Sequence, residues 1–599
     1  MTTAEHGTRR KREEKTGQKS AVRFLLSYVG NHKVSVAAGV LVLMVVDLFQ
    51  LIIPRVVQRI IDMLGEHSFS SSLVLRNAAL IVGLALGMVV LRFFWRLFII
   101  GSARKIEKEV REDMFTHLQG LDFTYFNKSK TGSIMALMVN DVNAIRMATG
   151  PSFIALTDAV FMGTLSLFFM LTINVRLTIF AVLPLPGILF MIARFGPLIQ
   201  RRFKAVQETF AGISSVTQEA FSGIRVVKGF AQEKHEIAGF AKKSEDYVEK
   251  NLKLINVWGL FFPTITLLAN LSLAILYLVG GKSVITGSLS FGEFISFAMY
   301  INLLVWPVIA IGWVFNLLQR GIASSKRILE LFDVKTGIVD TGTLSGHSNA
   351  IGGKIDIKHL TFTYPGEKWA VLDHIDLTVP AGSTLGIMGR PGSGKSTLVS
   401  LLFRLFPVAH GRIFLDDIEI HEYPLDVLRG SIGYVPQDPF LFSDTIKKNI
   451  AFGIDDGFDD AEIERIARIA GIYEEIMEFG DRFETVVGER GITLSGGQKQ
   501  RVSIARALIK NPRILVLDDA FSAVDAVKER EILLSIRKEM EGKTIFIISH
   551  RVSTIMGCHR ILVLDKGRIA ENGTHAELIA GEGYYRSLFE LQQLEDERR

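Results

Sequence analysis

Eight consecutive residues in the second half of the chain have the types and spacing of a phosphate-binding loop. Residues 389–396 read Gly-Arg-Pro-Gly-Ser-Gly-Lys-Ser and fit the pattern G-x-x-x-x-G-K-[ST]. Backbone N–H groups of such a loop point at phosphate oxygens, and the dipole of the helix that follows it favours an anion. We expect Lys395 to pair with the β- and γ-phosphates of a nucleotide, and Ser396 to ligate Mg²⁺.

The residues around this loop predict the elements that would position it. Residues 383–388 are typical of a short buried strand, and residues 397–403 of a helix that opens directly after the loop. Four apolar residues, 514–517, predict a second buried strand that delivers Asp518 to its end. A carboxylate in that position holds Mg²⁺ through water in phosphate-loop enzymes. An apolar strand that ends in an aspartate is weak evidence by itself. Together with the phosphate loop, it predicts an ATP and Mg²⁺ site.

The composition indicates a membrane protein. The chain has 599 residues, of which 48% are hydrophobic, and a mean hydropathy of +0.30, which is high for a soluble protein. Its single cysteine, Cys558, excludes a disulfide framework and a cysteine metal cluster. The net charge of +6 comes from basic residues that flank apolar runs, so we expect no nucleic-acid partner. The N-terminal residues do not fit a cleavable signal peptide.

Six apolar runs in the first half are each near the length of about 20 residues that crosses a bilayer. They predict an all-α six-span domain over residues 34–330, after a cytoplasmic tail and a helix leading into the membrane (1–33). A linker (331–350) and an alternating α/β domain (351–599) follow, with early strands at 355–357 and 360–364. The predicted spans are 34–54, 78–100, 154–173, 177–197, 257–280 and 291–317.

The segments between spans two and three and between spans four and five carry most of the basic residues. The positive-inside rule therefore places these segments and both termini in the cytoplasm, in a multi-pass protein of the cell membrane. Their apolar residues keep helical spacing, so we expect the membrane helices to continue into the cytoplasm. The helices should turn near residues 118–126 and 221–230, where the tips could meet the C-terminal domain.

Polar residues inside the spans mark a possible substrate path. They could line a translocation cavity, or they could pair helices, and the arginines could reach back to the inner membrane surface. The sequence leaves these alternatives open. The residues are Asp47, Arg92, Arg96, Asp158, Asn302 and Asn316.

Residues 494–498, Leu-Ser-Gly-Gly-Gln, lie between the phosphate loop and the strand that ends in Asp518. With this motif the chain resembles the ABC transporter family, and the order of six spans followed by a nucleotide-binding domain resembles an ABC exporter half-transporter. The resemblance implies a membrane domain joined to a cytoplasmic phosphate-loop NTPase domain of ABC type. In that family the nucleotide domains of two subunits close head to tail around two ATP molecules.

The resemblance also implies roles for single residues. Tyr364 matches the aromatic residue that stacks on adenine, Gln437 the Mg²⁺-binding glutamine, Asp525 the D-loop and His550 the switch histidine. Residues 485–491 resemble the exporter X-loop, and residues 219–230 a segment that contacts a nucleotide domain. The implied ATP-binding residues are Tyr364, Gly389, Arg390, Pro391, Gly392, Ser393, Gly394, Lys395, Ser396 and Thr397. The implied Mg²⁺ ligands are Ser396, Gln437 and Asp518, and the implied catalytic residues are Asp519, His550 and Gln437. The signature residues that would be offered to a partner subunit are Leu494, Ser495, Gly496, Gly497 and Gln498.

One position departs from the family pattern. The residue after Asp518, which is usually the glutamate that polarises the attacking water, is Asp519. Its side chain is one methylene shorter, and a base must come within hydrogen-bond reach of the proton it takes. We therefore expect this chain's own ATP site to hydrolyse slowly, while its intact signature completes the site of a different half-transporter. This arrangement resembles the degenerate-site subunit of heterodimeric multidrug-type exporters.

The predicted function is ATP-driven export of an amphipathic drug-like molecule, lipid or peptide across the cytoplasmic membrane. Two alternatives remain from the sequence. One is a homodimeric lipid or drug exporter in which Asp519 works; the other is a regulatory or channel subunit that uses ATP as a gate. No sequence motif in the six spans identifies a particular substrate.

Overall fold

The structure is a computed structural model that describes residues 20–65, 71–342, 351–454, 459–488, 491 and 493–597. The chain divides into two compact units. The membrane unit comprises the residues up to Gln119 together with Lys130–Val334, and the nucleotide unit comprises Gly120–Ser129 and Lys335 onward. Parts of the predicted tail (1–19) and linker (343–350), and X-loop residues 489 and 490, lie outside the described residues.

The membrane unit contains the six predicted apolar helices, and they are much longer than the apolar runs alone. They extend into the loops because apolar residues keep helical spacing there, as the sequence indicated. A helix over residues 20–31 precedes them. The six helices are Lys33–Leu64, Ser71–Gln119, Thr131–Ile173, Val175–Ser222, Glu233–Ile285 and Phe291–Phe332.

Three of the six helices are interrupted locally. The third helix is composed of Thr131–Ala136, Val142–Thr149, Pro151–Thr157 and Gly163–Ile173, with π-helical turns at Leu137–Asp141 and Asp158–Met162. The fourth divides into Val175–Val182 and Leu185–Ser222, and the fifth into Glu233–Ile275, a π-helical turn Leu276–Gly280 and Gly281–Ile285. Two short helices, Phe123–Lys128 and Ile224–Gly229, lie where the sequence predicted the turns.

The main hydrophobic core of the membrane unit is formed by buried residues of the first, third, fourth, fifth and sixth helices, and Tyr300 of the sixth helix lies within it. Tyr300, fully buried, donates its hydroxyl proton to the carbonyl of Leu51 at 2.8 Å. Its ring stacks on Phe169 with centroids 5.5 Å apart. The sixth helix begins at a capping box, in which Ser290 and Glu293 each accept the other's backbone N–H at 2.9 Å. Residues 320–330, predicted to be helical, continue this helix.

The nucleotide unit is built on two sheets, with ten strands among the described residues. The four-stranded sheet has the order β2-β1-β4-β5, all antiparallel, and the six-stranded sheet has the order β10-β9-β3-β8-β7-β6. The strands are β1 Ile355–Phe362, β2 Leu372–Val379, β3 Thr384–Gly389, β4 Ile413–Leu415, β5 Ile418–Glu419, β6 Ile432–Val435, β7 Ile514–Asp518, β8 Thr544–Ile548, β9 Arg560–Asp565 and β10 Arg568–Gly573.

The prediction of two separate early strands, 355–357 and 360–364, was wrong. They form the single strand β1, which ends at Phe362 and contains a register shift between Ile357 and Leu360. His359, inside the shift, has a φ of +46°, so the strand bulges there and continues. The polar residues that looked like a break between two strands therefore belong to one irregular strand.

Helices pack on the strands of the nucleotide unit. One hydrophobic cluster covers each face of the six-stranded sheet. The helices are Lys395–Leu402, Leu425–Gly430, Ile446–Ala451, Asp460–Ile469, Tyr473–Glu478, Gly496–Leu508, Ala526–Glu539, Val552–Ile555, His575–Ala580 and Tyr584–Glu597, with a 3₁₀ turn at Arg482–Glu484.

Candidate ATP-binding site

Four neighbouring parallel strands deliver the candidate residues to one edge of the six-stranded sheet. β3 pairs in parallel with β8, β8 with β7, and β7 with β6. The carboxyl ends of parallel strands meet at the same edge, which is where ligands bind in open α/β sheets. The phosphate loop, Asp518 and Asp519, His550 and Gln437 each follow the end of one of these strands.

A cavity of about 520 Å³ opens at this edge. Its lining contains most of the residues that the sequence predicted to bind ATP or Mg²⁺ or to act in hydrolysis, although the signature residues 494–498, Gly389, Arg390 and Asp525 are not part of it. The lining residues are Tyr364, Val371, Pro391–Thr397, Gln437, Asp518, Asp519, Ile548 and His550.

The backbone of the phosphate loop requires glycine. Gly394 has a φ of +99°, and a Cβ there would lie 2.7 Å from the Leu372 side chain and 2.9 Å from the Val371 carbonyl. The loop also holds a buried hydroxyl, Ser393 Oγ, that has no hydrogen-bond partner among the described residues. A buried polar atom without a partner is costly. A phosphate oxygen in the loop would supply that partner.

Lys395 lies at the start of the helix Lys395–Leu402 and is only 7% exposed. Its Nζ donates to the carbonyls of Gly389 at 2.9 Å and Arg390 at 3.0 Å. Burial lowers the pKa of this ammonium group, and the negative charges of Asp518 and Asp519 oppose that shift. The position suits a cation that meets anionic oxygens of a nucleotide.

Asp518 and Ser396 form the part of the cavity that fits a magnesium ion. Asp518 is 2% exposed, and burial raises the pKa of its carboxyl group. A hydrogen bond from Ser396 and the charges of Lys395 and His550 oppose that shift. The hydroxyl of Ser396, the carboxylate of Asp518 and the amide of Gln437 are all oxygen donors, which Mg²⁺ prefers. A buried carboxylate that resists ionisation is stabilised by such a cation.

Asp519 occupies a left-handed backbone conformation with a φ of +49°. Its N–H donates to the carbonyl of Ile548 at 2.9 Å, and its own carbonyl accepts from the hydroxyl of Ser522 at 3.1 Å. Its side chain reaches the same cavity as His550 and the exposed Gln437. The backbone at this position is therefore held from both sides, and the length of the side chain sets how far the carboxylate reaches.

Tyr364, predicted to stack on adenine, lines the cavity and is also tied to the helix of the phosphate loop. Its hydroxyl lies 2.8 Å from that of Thr397. Its ring meets Phe406 edge-to-face at a centroid distance of 5.0 Å, and Phe406 meets Phe123 in the same way at 5.6 Å. Phe123 begins the short helix Phe123–Lys128, so an aromatic path joins this helix to the cavity.

The signature residues lie at the start of the helix Gly496–Leu508. Ser495 is exposed and caps the helix, accepting the Gln498 N–H at 3.2 Å, while Gln498 Oε1 accepts the Ser495 N–H at 2.8 Å. Buried Leu494 anchors the segment. A Cβ on Gly497 would lie 2.8 Å from the Ala523 carbonyl, so the D-loop packs against this turn. Asp525 caps the next helix through the Lys528 N–H at 2.9 Å.

Sequence reasoning missed two glutamines that hold these loops. Gln500, 3% exposed, donates to the Ser522 hydroxyl at 2.8 Å and accepts the Ala523 N–H at 3.0 Å. Gln592 donates to the carbonyl of His550 at 2.9 Å and accepts the Val552 N–H at 2.8 Å. The only available signal was Gln500's position two residues after the signature; nothing in the sequence pointed to Gln592.

The membrane unit brings most of the polar span residues together around a cavity of about 430 Å³. Asp47 is 4% exposed, and its Oδ2 has no hydrogen-bond partner among the described residues. Asp158 lies at the start of a π-helical turn, a feature that is frequent at functional sites, and its Oδ1 also has no hydrogen-bond partner among the described residues. The lining includes Asp47, Gln50, Arg92, Trp95, Arg96, Asp158, Asn302 and Trp306, whereas Asn316 lies at a separate apolar cavity of about 890 Å³.

Comparisons with known proteins match both units. A family model described as ABC transporter transmembrane region matches residues 36–308, and one described as ABC transporter matches residues 372–522. The chain is 38% identical over 560 residues to the multidrug resistance-like ATP-binding protein MdlA of Escherichia coli (strain K12), covering 93% of this chain and 94% of that protein. It is 34% identical over 528 residues to the ATP-dependent lipid A-core flippase of Syntrophus aciditrophicus (strain SB), covering 87% of each.

A solved structure, a bacterial Atm1-family ABC exporter with ATP bound, is similar to this chain with a TM-score of 0.76. The sequences are 26% identical, and the match covers 94% of this chain and 99% of that one.

Proposed function

This chain belongs to the ABC transporter family and is an ATP-hydrolysing exporter of the membrane, and from that premise we propose how its two units work. The chain is one half of a heterodimeric exporter, whose own ATP site mainly holds ATP and whose signature motif serves the partner's site. The observation that carries the proposal is Asp519 at the cavity edge beside a complete phosphate loop.

The residues of the cavity divide the work of ATP binding. The loop glycines leave the backbone open to the phosphates, Lys395 supplies positive charge, and the buried hydroxyl of Ser393 donates to a phosphate oxygen. Ser396, Asp518 and Gln437 would hold Mg²⁺, and a bound ion would supply positive charge beside the phosphates. His550 and Asp519 face the same space, where a water molecule would be oriented for attack.

The reach of Asp519 limits hydrolysis at this site. The hydrogen bonds to Ile548 and Ser522 hold its backbone, so a backbone shift that would make up for the missing methylene breaks at least one of them. A base must lie about 2.6–3.2 Å from the proton it takes. A small misplacement costs about 100-fold in rate. The site therefore keeps ATP longer than a site with glutamate.

The signature motif does its work across a subunit interface. Residues 494–498 are not part of this chain's own cavity lining, and the exposed Ser495 sits at a helix start that favours an anion. A second nucleotide domain that closes on this surface would place its γ-phosphate there. The partner is a second six-span half-transporter, which supplies the catalytic glutamate.

The heterodimer is tested by purifying this chain alone and together with the half-transporter encoded next to it. We expect the pair to hydrolyse ATP and transport, and this chain alone to bind ATP with little turnover. Robust turnover by this chain alone, abolished by Asp519→Asn but retained by Asp565→Asn, would overturn the proposal. That result would favour a homodimeric exporter in which Asp519 is the working base.

The substrate is an amphipathic molecule: a drug, a lipid or a peptide. Relatives named for multidrug resistance and for lipid A-core flipping agree with this class. An amphipathic molecule needs both a polar and an apolar surface. The membrane unit has a polar cavity around Asp47 and Asp158 and an apolar cavity around Trp258 and Phe315. A transport screen in inside-out vesicles of the pair identifies the substrate. ATP-dependent ion current without solute accumulation would instead favour an ATP-gated channel subunit.

We infer that both termini and the nucleotide unit face the cytoplasm. The basic residues lie in the segments that flank the two short helices, and the ATP site must face the compartment that holds ATP. Protease accessibility of a C-terminal tag in sealed right-side-out vesicles tests this: the tag should be protected.

A further inference from the structure

Three side chains at the edge of the four-stranded sheet converge on one point. His410 Nδ1 lies 3.1 Å from Glu419 Oε1, and His421 Nδ1 lies 3.0 Å from the same oxygen. One donor atom from each residue lies within 4.8 Å of the other two. None of the three lines the ATP cavity. We propose that they form a binding site for a transition-metal ion such as Zn²⁺, separate from the Mg²⁺ site.

The strand pairing fixes the backbone beneath the three side chains. β4 and β5 pair antiparallel, with Phe414 opposite Glu419, and His410 lies just before β4. Glu419 ends β5, and His421 lies in the turn that follows, which the Glu422 N–H closes by donating to the Glu419 carbonyl at 3.0 Å. The Gly411 N–H donates to Glu419 Oε1 at 2.6 Å, and the Thr341 hydroxyl donates to the His421 carbonyl at 3.3 Å. Such bonds orient ligands before a metal arrives.

The chemistry and spacing of the cluster fit a metal of the zinc type. Two imidazoles and one carboxylate are a Zn²⁺ ligand set that leaves a position open for water. Bonds of about 2.0–2.1 Å in a tetrahedral site set neighbouring ligand atoms about 3.3 Å apart. The two Nδ1–Oε1 separations, 3.1 and 3.0 Å, are within a few tenths of an ångström of this value. The imidazole rings of His410 and His421 stack with centroids 4.0 Å apart and an interplanar angle of 29°, so the exposed His410 ring must rotate for both Nδ1 lone pairs to point at one ion. Nitrogen ligands favour Zn²⁺ and similar ions over Mg²⁺, which prefers oxygen.

The surroundings leave one side of the cluster open. The side chain of His410 is 77% exposed, whereas those of Glu419 and His421 are 19% and 11% exposed. A metal ion with a bound water therefore enters from the His410 side without moving the sheet. The positive charge of Arg404 acts on His421 and would oppose a cation bound there.

Cobalt titration of the full chain, purified in lipid nanodiscs and stripped of metal with a chelator, tests the site. We expect saturable visible absorption bands at one Co²⁺ per chain that Zn²⁺ abolishes and millimolar Mg²⁺ does not. His410→Ala and His421→Ala should each weaken binding by at least about 10-fold. His359→Ala is the matched control, because His359 is an exposed histidine on the same sheet, 2.9 Å from the carboxylate of Asp376.

The proposal is overturned if Co²⁺ binding does not saturate at one ion per chain, if Mg²⁺ displaces it equally well, or if His359→Ala weakens it as much as His410→Ala. His410 is exposed, so its removal leaves the sheet intact, and an unchanged thermal melting temperature verifies this.

Discussion

The ring of Phe123 contacts the ring of Phe406 edge-to-face, with centroids 5.6 Å apart and an interplanar angle of 81°. Phe123 begins the short helix that connects the second and third membrane helices, and Phe406 contacts Tyr364 at the ATP cavity. Asp122 holds this helix by accepting the Thr124 N–H at 2.9 Å and the Gly337 N–H at 2.6 Å. The aromatic path therefore joins Tyr364, at the edge of the cavity, to the short helix that follows the second membrane helix in the chain.

Phe123→Ala should separate hydrolysis from transport. An aromatic pair contributes about 0.5–1.5 kcal/mol beyond burial, so its loss weakens the mechanical link without unfolding the chain. We expect vesicle transport by the pair to fall about 5-fold or more, while ATP hydrolysis stays within about 2-fold. Phe126→Ala, on the same helix, is the control. Equal losses of transport and hydrolysis, or equal losses in the control, would contradict a coupling role.

Asp519→Glu should restore hydrolysis at this chain's own site. The extra methylene extends the carboxylate toward the water that it must polarise. With the partner's own catalytic glutamate replaced by glutamine, we expect turnover to rise about 10-fold or more. Asp519→Asn in the same background should give no increase. A glutamate variant no faster than the native pair would show that side-chain length does not limit this site.

In the proposed heterodimer, Ser495→Ala should remove most ATP turnover, because the proposal places that turnover at the partner's site and has this signature complete it. As a helix cap alone the substitution costs about 1 kcal/mol. Thr574→Ala is the matched control, since Thr574 and Glu577 form the same kind of capping box elsewhere in the unit. A melting temperature lowered equally in both variants, with turnover lost only in Ser495→Ala, is the expected pattern. Turnover retained in Ser495→Ala would exclude the role in trans.

Asp518→Asn should stabilise the nucleotide-free protein at neutral pH. Burial raises the pKa of Asp518 above its unfolded value, so the ionised form is penalised in the folded state. The penalty is present above the folded pKa and disappears as the pH falls below the unfolded value. Asparagine cannot ionise, so the variant removes this penalty. The variant also removes the Asp518 carboxylate that is proposed to bind Mg²⁺. We expect a higher melting temperature without nucleotide, and a smaller gain on adding MgATP.

Asp565→Asn, at the end of β9 where the side chain is exposed, is the control and should change neither quantity. A lower melting temperature for Asp518→Asn without nucleotide would mean that hydrogen bonds to this carboxylate outweigh its burial.

Asp158→Asn should alter substrate response and leave basal hydrolysis unchanged. The carboxylate lines the polar membrane cavity, and its buried Oδ1 has no hydrogen-bond partner among the described residues. Asparagine keeps the size of the side chain and removes its charge. We expect half-maximal stimulation of ATP turnover to require about 10-fold more substrate, because the substrate loses one interaction with a charged group. Asp62→Asn, near the C-terminal end of the first membrane helix, keeps its acceptor for the Gly292 N–H and should respond as the native protein does. An unchanged response would exclude Asp158 from the substrate path.

The number of spans and the motifs of the ATP site were readable from the sequence for a physical reason. Spans follow from runs of apolar residues, and the phosphate loop, Asp518 and the signature are local patterns whose chemistry depends on residue type and spacing. The missing methylene of Asp519 is equally local, which is why the sequence alone raises the question of a slow site.

Contacts between distant segments needed the tertiary structure. Whether Asp47, Arg92 and Asp158 line a cavity or pair helices depends on how helices rotate and pack, and the alternatives stayed open until the packing was known. Gln592 reaches His550 only because the C-terminal helix docks beside that loop, whereas His410 and His421 meet where β4 pairs with β5. The sequence by itself determined the elements and their local chemistry; the tertiary structure decided which side chains meet, because packing depends on the whole chain.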